Sequence, residues 1–300
     1  MESLIGKKFE VLNQGHVVLV DVMGDDQAVV DAARTCYQKG TRHTSDNRNL
    51  IRYLMRHRHT SPFESCQIKL HIKLPIFVER QWARHRTAGW NEVSARYSEL
   101  PEEFYIPEES DVCEQSSTNR QGRGEALSSE QAGEFCQSVS DLAVSCFDQY
   151  HKDLETGVAR ELARINLPLG TYTEKVWWIS LHNILHFLGL RMDSHAQQEI
   201  REYATIIGEQ IIAPLFPEVW QAFVDYRLNG TFLTGLDKKV LKELLLLSHS
   251  EGMCIPMSLE DVGEVLRLIQ DHVPEEWKKP ASREAKEFTA KLESMGIVCQ

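Results

Sequence analysis

Over residues 67–74 apolar and polar side chains alternate without a break: Ile68, Leu70, Ile72 and Leu74 share one parity, Gln67, Lys69, His71 and Lys73 the other. That pattern suits an extended chain with one face buried, so a half-buried strand is predicted. Val17 to Val22 is a β-branched run ended by Gly24, and Asp25-Asp26 then supply acidic caps for a helix through Arg34. Ser45 or Asp46 can cap a second helix, with Leu50, Ile51, Leu54 and Met55 as its apolar stripe and Arg52 and Arg56 facing away; it ends before Pro62. Pro75 suits the first turn of a helix that carries Phe77, Gln81 and Arg84 and should stop near Gly89. Helical patterns return over 135–154, 158–167, 177–188 and 193–212, so helices dominate the second half.

Between Pro107 and Gly133 the chain is polar, rich in Ser, Glu and Gln, and without an apolar period, which predicts a mobile surface insertion. After Asn229-Gly230 only short amphipathic pieces follow, over 238–247 and 259–269, and then a charged stretch over 275–287. The expected division is a main domain over 1–230 and an appended helical tail over 231–300.

Composition narrows the class. With 42% hydrophobic and 26% charged residues the chain reads as soluble and globular, and no apolar run approaches the roughly 20 residues that span a bilayer. The start, MESLIGKKFEVLNQ, lacks the apolar core of a signal peptide, so a cytoplasmic protein is expected. Seven scattered cysteines with no CxxC pair fit neither a disulfide framework nor a structural zinc site. A net charge of -11 argues against a general nucleic-acid binder but leaves room for anionic ligands where arginines are concentrated.

Such a concentration runs from Gln81 to Tyr97, with Arg84, His85, Arg86, Glu92, Ser94 and Arg96. Arginine forks match phosphate oxygens two at a time, and Gly89 would let backbone approach a ligand. On spacing alone an anion site and a solvated basic face are equally good readings.

Arg84-His85-Arg86, seven further residues and then Ser94 form the RHR-x7-S signature, continued by Ala95-Arg96-Tyr97, and this resembles the flavin-dependent thymidylate synthases. His59-Thr60-Ser61-Pro62-Phe63-Glu64 is similar to that family's H-x-[TS]-P-F-E segment, and Leu190 to Gln197 to its L-R-x-D-S-H-A-Q segment. The likeness runs from about Gly15 to Arg227.

The resemblance implies conversion of dUMP to dTMP with FAD as redox cofactor, NADPH as reductant and 5,10-methylenetetrahydrofolate as carbon donor. It implies a homotetramer with each FAD between subunits. Ser61, Arg84, His85, Arg86, Glu92, Ser180, Leu181, His182 and His186 match flavin positions, although several family members carry Asn, Arg and Asn where this chain has Ser180, His182 and His186. Gln81, Arg84, Glu92, Val93, Ser94, Ala95, Arg96, Arg164 and Arg191 match positions that hold dUMP. Arg191 also faces the pyrimidine and is the candidate catalytic group, a guanidinium able to stabilise the ring anion left when the N3 proton departs. The expected fold is α+β, a mainly antiparallel sheet flanked by long helices.

Plainer readings stand beside these. His182 and His186, at i and i+4, could be half of a zinc site, but the glutamate of HExxH is absent because Asn183 follows His182, and no metal is expected. Arg160 and Arg164 could be a solvated pair. His59 beside Pro62 could only close a turn. Ser94 as a nucleophile would need a base in reach. No cysteine has a Pro-Cys-His setting, which argues against a thiolate mechanism. A nucleic-acid clamp and a metal-dependent hydrolase are the readings from other classes; neither nucleic acid nor membrane is an expected partner.

Overall fold

A computed structural model of the chain describes residues 3–35, 46–117, 121–235, 237–239, 241, 257–258, 290–292 and 298–299. Two strands come first, β1 (Lys8–Val11) and β2 (Gly15–Met23), followed by α1 (Asp26–Arg34) and α2 (Asn47–Arg56). Asp25 and Asp46 cap those helices, accepting from the amides of Ala28 and Asn49 at 2.9 and 2.7 Å. Next come α3 (Ser61–Glu64), β3 (Gln67–Pro75), α4 (Ile76–Trp82) and β4 (Ala88–Glu92). The polar region holds β5 (Cys113–Gln115) and β6 (Arg123–Ala126); then follow α5 (Ser129–Glu155), α6 (Arg160–Ala163), β7 (Tyr172–Ser180), α7 (Leu181–Arg191) and α8 (Gln198–Ile206). The last helix continues as a π-helix, Ile207–Ile212, before α9 (Ala213–Leu215), α10 (Pro217–Phe223) and a second π-helical turn, Val224–Leu228.

The main sheet has the order β1-β2-β3-β7-β4, and every neighbouring pair is antiparallel. The fold is α+β, as expected. Ile68, Leu70, Ile72 and Leu74 of β3 are fully buried and share one core with Trp177, Ile184, Leu188 and Tyr203.

Five expected boundaries are corrected. The helix from Pro75 ends at Trp82, and Gly89 lies in β4, opposite Trp178. A Cβ on Gly89 would overlap the Trp178 indole, so this glycine admits a neighbouring side chain rather than a ligand. The helix expected over 177–188 begins only at Leu181, because Trp177 to Ser180 finish β7. In β7 Thr173, Lys175, Trp177 and Ile179 are all buried, and two polar residues at buried positions hide the period-2 signal. The 158–167 helix shrinks to α6 plus a 3-10 turn, and the 193–212 helix starts at Gln198, after a turn in which Asp193 accepts from the His195 amide at 2.8 Å. At the other extreme α5 starts six residues earlier than its apolar period suggests, capped by Ser128.

Backbone contacts divide the chain into Met1–Leu228 and Asn229–Gln300. In the second unit Met257–Ser258 pairs in parallel with Val298–Cys299, and Lys291 Nζ donates to Asp237 at 2.6 Å. The amphipathic segment expected over 259–269 and most of that over 238–247 lie outside the described residues, as does Cys36. Among the described residues no helix is long and apolar enough to cross a membrane.

Candidate functional site

The end of α4 is set by Trp82. Its buried indole packs against Phe187 and Trp177, with ring centroids 4.6 and 5.3 Å apart, and the chain leaves the helix immediately afterwards. Arg84 and Arg86 therefore emerge exposed, while His85 turns inward, edge-on to Phe187 at 4.8 Å. There Arg191, the last residue of α7, donates from Nε to His85 Nε2 at 3.0 Å. An accepting Nε2 requires the Nδ1-protonated, neutral ring. Burial, with Arg191 and His186 nearby, pushes the His85 pKa down to about 4, which agrees with that tautomer.

Gln81 extends this cluster, donating to Gln197, which donates to Glu199 at 2.8 Å. Glu199 is almost wholly buried and also accepts from Tyr105 at 3.1 Å and from Arg123 of the polar hairpin. Burial opposes the ionised form, but its own backbone N–H, Arg123 and Gln197 outweigh that and hold the carboxyl below its ordinary value.

A second group follows β4. Glu92 accepts from Thr173 Oγ1 at 2.8 Å, and the Val93 amide donates to Glu174 at 2.8 Å. Ser94 Oγ accepts from the Arg96 amide at 3.3 Å, which makes it a turn-former, and no histidine or carboxylate bonds it among the described residues. Ala95 is buried; Arg96 pairs with Glu161 at 3.2 Å across exposed surface. Arg164 opens the 3-10 turn after α6 with an exposed side chain, and Arg160 stands 3.7 Å from Glu99. Opposite Glu92 in the sheet is Lys175, buried, paired with buried Glu79 and seated 4.5 Å from the Trp82 ring centroid. Burial lowers the Lys175 pKa to about 8 and raises that of Glu79.

The third group is a cleft of about 390 Å³. His182 and His186 line it together with Arg58, His59, Thr60 and Arg227, over apolar walls from Leu54, Phe63, Leu185 and Phe223. Among the described residues no carboxylate lines it, in a chain whose net charge is -11. Ser180 caps α7, its Oγ accepting from Asn183 Nδ2 at 3.0 Å; Leu181 is fully buried and its amide is taken by Cys66 O, and Ser61 is exposed beside Thr60. Burial keeps His182 below its ordinary pKa, which favours the neutral ring. Among the described residues no three His, Cys, Asp or Glu side chains are grouped to hold a metal. Sequence reasoning singled out neither Arg58 nor Arg227. Arg227 comes from a π-helical turn whose place against α2 no local pattern announces; Arg58 left one trace, its position just past a helix end.

The sequence profile of the thymidylate synthase complementing protein family matches residues 18–218. This chain belongs to that family. Its relatives include the flavin-dependent thymidylate synthase of Gluconobacter oxydans (strain 621H), 51% identical over 248 residues that cover 82% of each chain. The flavin-dependent thymidylate synthase of Rickettsia bellii (strain RML369-C) is 46% identical over 283 residues, 89% of this chain and 96% of the relative. Among solved structures, the UMP/dUMP methylase PolB from Streptomyces cacaoi, bound with 5-Br UMP, superposes with a TM-score of 0.67 at 34% identity, over 73% of this chain and 98% of that one. The same methylase bound with 5-Br dUMP gives 0.66 at 32% identity. The His85–Arg191 cluster and all of the cleft lining except Phe223 and Arg227 fall inside the matched region.

Proposed function

We propose that the chain methylates dUMP to dTMP as a flavin-dependent thymidylate synthase, with 5,10-methylenetetrahydrofolate as carbon donor and NADPH as reductant. The observation that carries this is the bond between Arg191 and His85: it joins the RHR block to the L-R-x-D-S-H-A-Q block across 106 positions. Two family signatures far apart in sequence thus meet at one site, which supports a shared ligand.

The residues present fit FAD. A flavin needs an apolar slot with polar edges, and the cleft beside His182 and His186 has that character. Arg84, His85, Arg86, Ser61, His182 and His186 are the proposed holders, with Ser180 contributing at the start of α7. FAD, when bound, supplies the redox chemistry.

Arg191 is assigned to the pyrimidine. Its Nε is committed to His85, which fixes the guanidinium plane and leaves the end-on Nη pair for the ligand. A guanidinium remains cationic even where burial lowers its pKa, so it can stabilise the anion left when N3 loses its proton. Arg96, Arg164, Ser94 and the Ala95 amide are assigned to the phosphate, with Gln81 and Glu92 orienting the nucleotide; the Val93 amide is already bonded to Glu174. No side chain is required as a nucleophile. Assembly as a homotetramer with FAD between subunits, in the cytoplasm, completes the reading.

The test is release of tritium from 5-tritiated dUMP with NADPH and methylenetetrahydrofolate present, with and without FAD, and with UMP in parallel. Release matched by dTMP and dependent on FAD supports the function. Absence of release, or release indifferent to FAD, overturns it.

A further inference from the structure

Helix α2 ends in a double closure: the His59 amide donates to Leu54 O at 3.0 Å and the Arg58 amide to Met55 O at 3.4 Å. This is a Schellman motif, in which the residue after the C-cap takes a left-handed conformation and is ordinarily glycine. Here it is Arg58, at φ 57°. A left-handed backbone is unfavourable for any residue with a Cβ, and least so for Asn, so glycine would close this helix with less strain. Backbone strain at a ligand cleft is a place to look for a functional side chain.

Arg58 lines the cleft, and Arg227 lines it too, held by a bond from Nη2 to Met55 O at 3.0 Å. Each guanidinium lies in the other's field; after burial, Arg58 is the second cause of the lowered Arg227 pKa. Among the described residues neither has a carboxylate partner, and the cleft lining supplies none. Two cations brought together without an anion repel each other, an arrangement that a bound anion would relieve.

We infer that Arg58 and Arg227 form an anion clamp at the mouth of the cleft for the charged end of a co-substrate, either the carboxylates of the folate glutamate or the phosphate that distinguishes NADPH from NADH. The inference rests on the thymidylate synthase reading. Arg58 is exposed, so its fork is open to a ligand that comes and goes with each turnover. Both candidate ends are anionic and remote from the reacting atoms, so what the clamp contributes is binding.

The test uses the full-length holoenzyme carrying Arg58→Gly, with Arg58→Asn as a second variant that tolerates the same backbone. Arg58→Gly removes the strain, so its melting temperature should match or exceed that of the wild type. The KM of one co-substrate should nevertheless rise roughly tenfold, as expected for a lost charge-assisted contact, with kcat, flavin content and dUMP affinity near wild type. Replacing methylenetetrahydrofolate by its analogue without the glutamate, and NADPH by NADH, shows which end is held: the difference between wild type and variant disappears with the ligand that lacks the gripped group. Unchanged KM for both co-substrates in both variants overturns the clamp. So does loss of flavin from Arg58→Gly, which would assign the arginine to FAD. Wild-type protein that forms no dTMP overturns the underlying function instead, and is recognised before any variant is measured.

Discussion

Arg191 gives its Nε hydrogen to His85 Nε2 across 3.0 Å, so the guanidinium is aimed by an imidazole from a different element rather than by a carboxylate. A neutral partner orients Arg191 without neutralising it. Arg191→Lys keeps the charge but loses the planar fork and the Nε donor. Affinity for dUMP and the methylation step should each fall by about 1.5–3 kcal/mol, the worth of a hydrogen bond to a charged group, while NADPH should still reduce the flavin in the absence of dUMP. Stopped-flow flavin reduction paired with single-turnover dTMP formation measures both. Wild-type affinity together with wild-type turnover would remove Arg191 from the mechanism.

His85 carries a pH signature. Its folded pKa, about 4, lies below the ordinary 6.5, so between these values the unfolded chain binds a proton that the folded chain does not. Stability must therefore rise as pH climbs from about 4 to 6.5, and this contribution is flat above that window. His85→Gln should lose less stability than wild type between pH 7 and pH 5 in urea unfolding. An equal or larger loss would show that His85 is not held neutral.

The buried Lys175–Glu79 pair makes a prediction of opposite signs. Lys175→Met alone leaves Glu79 buried without a cation, and Glu79→Leu strands the lysine; each should cost about 3–5 kcal/mol. The double replacement removes both charges from a pocket already lined by Trp82 and should be near neutral or stabilising. Denaturant midpoints of the three variants decide it, and losses that simply add in the double variant contradict the pairing.

How much of this was legible depended on whether one local pattern sufficed. The alternation in β3 needs nothing beyond itself, and the Asp25 and Asp46 caps act within three residues. Strand β7 was misread because Thr173 and Lys175 occupy buried positions, where they bond Glu92 and Glu79 from elsewhere in the chain. The RHR block was visible as residues, but its exit from α4 depends on Trp82 meeting Trp177 and Phe187. Arg227 was invisible for the same reason: its place in the cleft is a product of tertiary packing.

The hairpin of β5 and β6 changes what the most polar stretch near the site is for. Arg123 reaches from it to Gln198 at 2.9 Å and to Glu199, a carboxylate in the first turn of α8 that the surrounding core would otherwise expel. Trimming residues 113–126 would not merely shorten a loop. It would withdraw a counter-ion, and Gln197 and Gln81 would lose the fixed acceptor on which their order rests. Anyone choosing where to splice a tag or a label into this chain should leave this polar hairpin alone.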